Sequence, residues 1–234
     1  MTPKISISIA TYEAGGHGLK FIKKNVESFL NQTYQNLELV ISDHSVGDEI
    51  RDYILSLNNS KINYIKNEND RGLQVENINN AILNCTGDYI KLMNHDDYME
   101  SNDSIECGVK ELMGGNKWVL YSCKHLNYTT NQFSFFHNPR IESDGRHFLR
   151  GLNYVGCPSV GLIPKGYLLD VNVKYMGDCE LWYRLFTTLG YPSIIDGNKV
   201  VIGIGDHTLT HQFANKQSEM LHNDINYCSL KYKS

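Results

Sequence analysis

The segment Tyr89-Ile90-Lys91-Leu92-Met93-Asn94-His95-Asp96-Asp97-Tyr98 decides the fold, because an apolar strand runs directly into two adjacent carboxylates. Open α/β sheets bind their ligands beyond the carboxyl ends of the strands. Carboxylate oxygens at that position suit a hard divalent cation. Aspartate is also favoured in turns and at helix N-termini, so the pair alone leaves a purely structural role open.

Strand-like and helix-like patterns alternate through the N-terminal half of the chain. The apolar runs typical of strands cover 4–10, 37–42, 62–66 and 89–93, and helical periodicity covers 19–30, 48–57 and 74–85. This order predicts an α/β fold with a doubly wound, mainly parallel central sheet and helices on both faces.

The pattern changes after residue 101, where helices and strands no longer alternate regularly. Helices are predicted at 101–113, 144–150 and 178–189, strands at 117–126, 193–195 and 199–204, a hairpin or loop at 127–140, and then a polar tail. Internal repeats and low-complexity linkers are absent from the sequence. We therefore expect one domain over residues 1–234.

Composition excludes several classes of protein. The chain has 22 Lys+Arg against 26 Asp+Glu, so no basic field is available to attract nucleic acid. The first strand alternates apolar and hydroxyl residues, unlike a signal peptide, and no apolar run approaches the roughly 20 residues that span a bilayer. We expect a cytoplasmic protein whose membrane contact, if any, is peripheral. Its six cysteines form no C-x-x-C pair, which favours reduced thiols over a zinc site.

Polar residues follow three of the predicted strands. They are Thr11-Tyr12-Glu13, Asp43-His44-Ser45 and 94–97. Because the carboxyl ends of parallel strands share one edge, these clusters should converge on one crevice. The glycine-rich loop 11–18 has neither the G-x-G-x-x-G spacing of a dinucleotide site nor the Lys-Ser/Thr ending of a Walker loop.

Four blocks in this order resemble the family 2 inverting glycosyltransferases, which have the GT-A fold of nucleotide-diphospho-sugar transferases. They are residues 7–13, 32–45, 69–90 and Gly177-Asp178-Cys179-Glu180-Leu181-Trp182-Tyr183-Arg184-Leu185, and the last resembles the family's E-D-x-x-L-W-x-R-L helix. Two positions depart from the family's motifs: Asn94 and Gly177 stand where a carboxylate is often found. The aspartates that follow them are retained.

The resemblance implies catalytic and metal roles for these aspartates. Asp178 is expected to act as the base, and Asp97 to bind Mn²⁺ or Mg²⁺ directly, with Asp96 near the ribose or the waters of the cation. Asp178 could instead be an ordinary first-turn residue, where the helix dipole would lower its pKa. Glu180 is the alternative base or a contact for acceptor hydroxyls.

Further site residues are implied by the same resemblance. Asp43 is expected to accept a hydrogen bond from a uracil or thymine imide, although aspartate is also common in turns. The other predicted contacts are Thr11, Tyr12 and Glu13 around base and ribose, Arg71 at a phosphate, His211 (or else His207) at phosphate or metal, and Pro158 and Ser159 at the acceptor.

The function implied is inverting transfer of a sugar from a nucleotide-diphosphate donor, with a UDP-sugar favoured, to a glycan or lipid-linked acceptor. Residues 1–100 would form the nucleotide-binding half and 101–234 the acceptor-binding half and tail. Bacterial surface polysaccharide synthesis is the implied setting. Two alternatives stay open from the sequence: a nucleotidyltransferase that makes sugar nucleotides, and a noncatalytic carbohydrate-binding module.

Overall fold

One mixed sheet carries the predicted crevice. The structure is a computed structural model that describes residues 2–206, 208 and 216–233. Its strands are β1 (Ile5–Thr11), β2 (Leu37–Asp43), β3 (Ile62–Lys66), β4 (Tyr89–Asn94), β5 (Tyr98–Met99), β6 (Val119–Asn127), β7 (Gln132–His137), β8 (Gly161–Pro164) and β9 (Ser193–Ile204). The strand order in the described residues is β3-β2-β1-β4-β8-β6-β9-β5, with β7 paired to β6.

The helices are α1 (Gly18–Leu30), α2 (Glu49–Ser56), α3 (Gln74–Leu83), α4 (Ser104–Met113), α5 (Gly177–Leu189) and α6 (Gln217–Lys231). Three short 3-10 helices lie at Ala14–Gly16, Phe148–Arg150 and Pro158–Val160. Among the helices in the described part of the chain, none is long and apolar enough to cross a membrane.

Strands β1 to β4 are parallel, as predicted, and β1 lies between β2 and β4. The isoleucines of β1 are fully buried, and so are its serines, because this central strand is covered on both faces. The hydroxyl of Ser6 donates to Glu38 and accepts the Gly87 N–H. These hydrogen bonds explain why a buried strand tolerates alternate hydroxyl residues.

The C-terminal half differs from the prediction in several elements. The hairpin in 127–140 is present as β6 and β7, but the predicted helix 144–150 is only the 3-10 turn Phe148–Arg150. The two predicted strands 193–195 and 199–204 form one strand, β9, in which Gly197 and Asn198 have positive φ and the register shifts. Strands β5 and β8 are too short to show a period.

Within the predicted polar tail, residues 217–231 form a helix, α6, that the sequence analysis did not predict. Of the residues in this helix, the buried ones are Asp224 and Cys228, so its apolar stripe is too thin for sequence periodicity to reveal. Helix α6 packs near α5 through buried polar contacts described below.

Candidate active site

The register of the sheet brings the predicted strand ends together. Thr11 at the end of β1 pairs with Asp43 at the end of β2, and Ala10 pairs with Asn94 at the end of β4. The three polar clusters therefore lie at one edge of the sheet, as the sequence predicted.

Asp43 is fully buried at this edge. Its Oδ1 accepts the backbone N–H of Ser45 at 2.8 Å, and its Oδ2 accepts the hydroxyl of Tyr64 at 2.7 Å. The contact with Ser45 is the turn interaction that was the structural alternative for this residue. Each carboxylate oxygen has a second lone pair, so these bonds still leave capacity to accept a further donor.

Thr11 is the last residue of β1, and Tyr12 and Glu13 begin the loop that follows it. The Thr11 hydroxyl lies 3.3 Å from Nδ1 of His95, and the ring of Tyr12 stacks on His95 with the ring centroids 5.0 Å apart. Oε1 of Glu13 accepts the backbone N–H groups of residues 46 and 47, the latter at 3.3 Å. These contacts join the loop after β1 to the loops after β2 and β4.

Asp97 is 1% exposed, and its carboxylate is held inside the protein. Oδ1 accepts the Gly203 N–H at 2.7 Å, while Oδ2 accepts the Asn94 side-chain amide at 3.0 Å and the Cys157 thiol at 3.7 Å. Burial, together with the neighbouring charge of Asp96, raises the pKa of Asp97 to about 8. The direct metal role of Asp97 stays a prediction, and its oxygens already have protein partners.

The departure at Asn94 has a physical explanation in this contact. An aspartate at position 94 would place a third carboxylate 3.0 Å from the buried oxygen of Asp97, whereas the amide donates a hydrogen bond to it. Asp96 is 9% exposed, which is more than Asp97. Among residues 2–206, 208 and 216–233, no three His, Cys, Asp or Glu side chains form a ready-made metal centre.

A divalent cation nevertheless fits the chemistry of this pair. The charge of Asp96 raises the cost of ionising Asp97, and a cation would offset that cost. Oxygen ligands of this kind suit Mg²⁺ or Mn²⁺, with the phosphates of a substrate completing the shell. His211 and His207, the predicted histidine ligands, lie outside the described residues.

Two functional positions escaped the sequence analysis. Asn25 on α1 is fully buried, and its amide donates to the backbone carbonyls of Asn94 at 3.0 Å and Asp97 at 2.6 Å. A lone amide within the apolar stripe of α1 is the signal that could have revealed it. Position 203 requires glycine, because a Cβ there would lie 2.6 Å from the Asp96 carbonyl oxygen.

Asp178 lies in the first turn of α5 and is half-buried. Its Oδ1 accepts the Cys179 N–H at 2.8 Å, and its Oδ2 accepts the Asn153 side-chain amide at 2.7 Å. Burial raises the pKa of Asp178 to about 6, despite these donors. The structural alternative for this residue, in which the helix dipole lowers its pKa, does not agree with this direction, because desolvation is the largest effect on the carboxyl group.

The loop 153–157 links Asp178 to Asp97. Asn153 at its start donates to Asp178, and Cys157 at its end donates to Asp97. Between them, the Gly156 carbonyl accepts the indole N–H of Trp182, which lies on α5, at 3.0 Å. Carboxylates from distant parts of the sequence are thus brought to the two ends of one short loop.

Glu180 is fully buried and has a different environment. Arg184 pairs with both of its oxygens, at 3.2 and 2.8 Å. Lys231 lies 2.7 Å from Oε1, and the Tyr232 hydroxyl donates to the same oxygen. These partners tie α5 to α6 and engage both carboxylate oxygens, so nothing in this geometry favours an acceptor contact.

The remaining predicted residues have mixed positions. Ser159 is fully buried, and its Oγ accepts the Asn94 backbone N–H at 2.8 Å, so it supports β4. Pro158, in the same 3-10 helix, is partly exposed. Arg71 is exposed on the loop after β3, where its guanidinium lies 3.9 Å from Glu68.

Comparison with known proteins identifies the family. The model of glycosyl transferase family 2 matches residues 6–170. An uncharacterized glycosyltransferase of Rickettsia prowazekii is 29% identical over 198 residues, covering 79% of this chain and 59% of that protein. The Escherichia coli UDP-Glc:alpha-D-GlcNAc-diphosphoundecaprenol beta-1,3-glucosyltransferase WfaP is 37% identical over 94 residues, covering 40% and 36%. The chain spans less than two thirds of either relative.

Solved structures confirm the GT-A fold prediction. Staphylococcus aureus TarS in complex with UDP aligns with a TM-score of 0.67 at 14% identity, over 97% of this chain and 65% of that one. A Pyrobaculum calidifontis mannosyltransferase in complex with GDP-Man and Mn²⁺ aligns with a TM-score of 0.58 at 14% identity, over 100% and 77%. The family match ends before Asp178, so the role assigned to this residue depends on its geometry and on the sequence motif of α5.

Proposed function

Because the chain belongs to glycosyl transferase family 2, we propose that it transfers a sugar, with inversion, from a UDP-sugar to a lipid-linked or other glycan acceptor in polysaccharide synthesis. The observation that carries the proposal is the loop 153–157, which contacts Asp178 at one end and Asp97 at the other. It brings a candidate base close to a candidate diphosphate site.

The donor half of the site is assigned to residues 1–100. Asp43, at the end of β2, has acceptor capacity for the imide N–H of uracil, and Thr11 to Glu13 form the adjoining loop. TarS is described in complex with UDP, and the name of WfaP specifies a UDP-Glc donor. These relatives support a uridine nucleotide, and the name of WfaP supports a diphospholipid-linked acceptor.

The reaction needs one base on the acceptor side. As the acceptor oxygen bonds to the anomeric carbon, the bond from that carbon to the diphosphate breaks, and the hydroxyl proton passes to Asp178. A pKa near 6 leaves Asp178 ionised at neutral pH but basic enough to accept this proton. Residues 101–234 are assigned to the acceptor half.

The residues proposed to hold a divalent cation are Asp96, which is the more exposed, and its neighbour Asp97. Mn²⁺ or Mg²⁺ would supply positive charge to stabilise the departing diphosphate. The structure with GDP-Man and Mn²⁺ supports this assignment. Asn25 and Gly203 fix the loop that carries both aspartates.

The test measures UDP binding and UDP release from UDP-sugars, with Mn²⁺ and with EDTA. We expect UDP with Mn²⁺ to raise the melting temperature, since a ligand at 100 times its Kd stabilises the fold by about 2.7 kcal/mol. Asp96→Asn should abolish the metal-dependent part of that shift. If Asp96 is the main metal ligand, Asp97→Asn should reduce the shift less than Asp96→Asn does. If Asp97 is the direct ligand, as the sequence predicted, Asp97→Asn should reduce it more.

The matched control is Asp52→Asn, because the Asp52 side chain is 66% exposed on α2 and its substitution removes the same charge. It should behave as the wild-type protein. Pyrophosphate release from a nucleoside triphosphate and a sugar phosphate would contradict the proposal in favour of a nucleotidyltransferase. Glycan binding with no turnover of any donor would support a binding module instead.

A further inference from the structure

A half-buried amide on the loop 153–157, the side chain of Asn153, holds the proposed base. Nδ2 of Asn153 donates to Oδ2 of Asp178 at 2.7 Å and to the Gly156 carbonyl at 3.1 Å. Its Oδ1 accepts the backbone N–H groups of Val155 at 3.0 Å and Gly156 at 2.9 Å. All four contacts come from one side chain, so its rotamer is fixed by the turn that it caps.

We propose that Asn153 is a positioning residue for catalysis: it fixes the turn 153–156 with its oxygen and directs its N–H at one oxygen of Asp178. This inference rests on the proposed function, in which Asp178 is the base. The Cys179 N–H holds the other oxygen at 2.8 Å. The carboxylate is therefore clamped from the loop and from the helix, and its free lone pairs keep one orientation toward the acceptor.

The clamp also stabilises the ionised form of the base. A hydrogen bond donated to a carboxylate favours its charged form, which opposes the effect of burial on Asp178. Within the described part of the chain, the charge of Asp178 acts on the titratable groups of Tyr175 and Cys179. Burial and the charge of Asp178 raise the pKa of both, so neither changes charge near pH 6. The acidic limb of the pH profile should accordingly report on Asp178.

Asn153→Asp separates the two roles of the side chain. The new carboxylate keeps an oxygen to accept the Val155 and Gly156 N–H groups, so the turn survives, but it has no N–H for Asp178 and adds a like charge. We expect kcat to fall about 10-fold to 100-fold, as for other lost hydrogen bonds to charged groups. The KM for the donor should stay within about twofold, and the acidic limb of kcat/KM should move up by about one pH unit or more.

Asn59→Asp is the matched control, because Asn59 also caps a turn, accepting the Lys61 N–H at 2.9 Å, and lies before β3. It should leave kcat and the pH profile unchanged. In the Asp178→Asn background, Asn153→Asp should cause little further loss of kcat, because the two residues act as one unit.

Three results would overturn the clamp, and a fourth would overturn the proposed function instead. An Asn153→Asp enzyme with the wild-type acidic limb and kcat would overturn the clamp. So would a rise in donor KM alone, or a loss of kcat that adds fully to that of Asp178→Asn. Full transfer by the single Asp178→Asn variant would instead overturn the base assignment itself, whatever the behaviour of Asn153.

Discussion

The raised pKa of Asp178 implies that its ionised carboxylate destabilises the fold near neutral pH, where the residue is proposed to act as the base. Burial raises its pKa from 3.8 to about 6. Each pKa unit corresponds to about 1.4 kcal/mol, so the charged form costs the folded protein up to about 3 kcal/mol. The folded state binds the proton more tightly than the unfolded state. The cost is consequently absent below pH 3.8, develops as the pH rises, and is complete above pH 6.

Asp178→Asn removes the charge with little change in shape, but it does not keep every hydrogen bond. Cys179 and Asn153 both donate to the carboxylate, and an amide has one acceptor oxygen for the two donors. The poorer pairing should cost about 0.5–1.5 kcal/mol. We therefore expect the variant to be more stable than the wild type by up to about 1.5–2.5 kcal/mol at pH 8 and to lose this advantage by pH 4.

Urea unfolding of both proteins at pH 4, 6 and 8 measures this difference, and Asp52→Asn supplies the exposed control. Transfer activity of Asp178→Asn should fall by roughly 10²–10⁴, the usual contribution of a general base, with UDP binding unchanged. An equal difference in unfolding free energy at pH 4 and pH 8 would refute the argument from burial. Loss of UDP binding would show that Asp178 acts on the donor side.

Two further substitutions test other parts of the site. Asp43→Asn should weaken UDP binding by about 1–3 kcal/mol in titration calorimetry. The buried carboxylate that accepts hydrogen bonds from Tyr64 and, in the proposed complex, from uracil is replaced by an amide with half as many acceptor oxygens. Unchanged affinity would leave Asp43 as a turn residue. Asp224→Ala should lower the free energy of unfolding in urea by about 1–3 kcal/mol, because its carboxylate accepts the N–H groups of residues 174, 175 and 176. The control Glu219→Ala changes an exposed residue on the same helix and should have little effect.

The sequence predicted the convergence of the strand ends at the proposed donor site, because this convergence depends on local patterns. The apolar runs of β1, β2 and β4 end where polar residues begin, and parallel pairing then aligns Thr11, Asp43 and Asn94. The positions of the Asp96 and Asp97 carboxylates were harder to predict from the sequence. Whether Asp96 or Asp97 is the more exposed depends on contacts with Cys157 and Gly203, which lie 60 and 106 positions from Asp97.

The contacts at the proposed acceptor side were harder to predict, because they are polar and nonlocal. Asn153 and Asp178 are 25 positions apart, and no periodic pattern connects them. Glu180 has the same motif context as Asp178, yet it is enclosed by Arg184, Lys231 and Tyr232. Two of these partners belong to the segment at the end of α6, a helix whose sequence lacks a clear apolar stripe.

Helix α6 engages the backbone N–H groups that precede α5. Asp224 on α6 accepts the N–H groups of the three residues before α5, which would otherwise add positive potential near the first turn. Asp178 then receives single hydrogen bonds from Cys179 and from Asn153, and burial outweighs them. A carboxylate that took all these donors would have a low pKa and would be a poor base. Burial, which these hydrogen bonds do not overcome, therefore raises the pKa of Asp178 into the range that the proposed base requires.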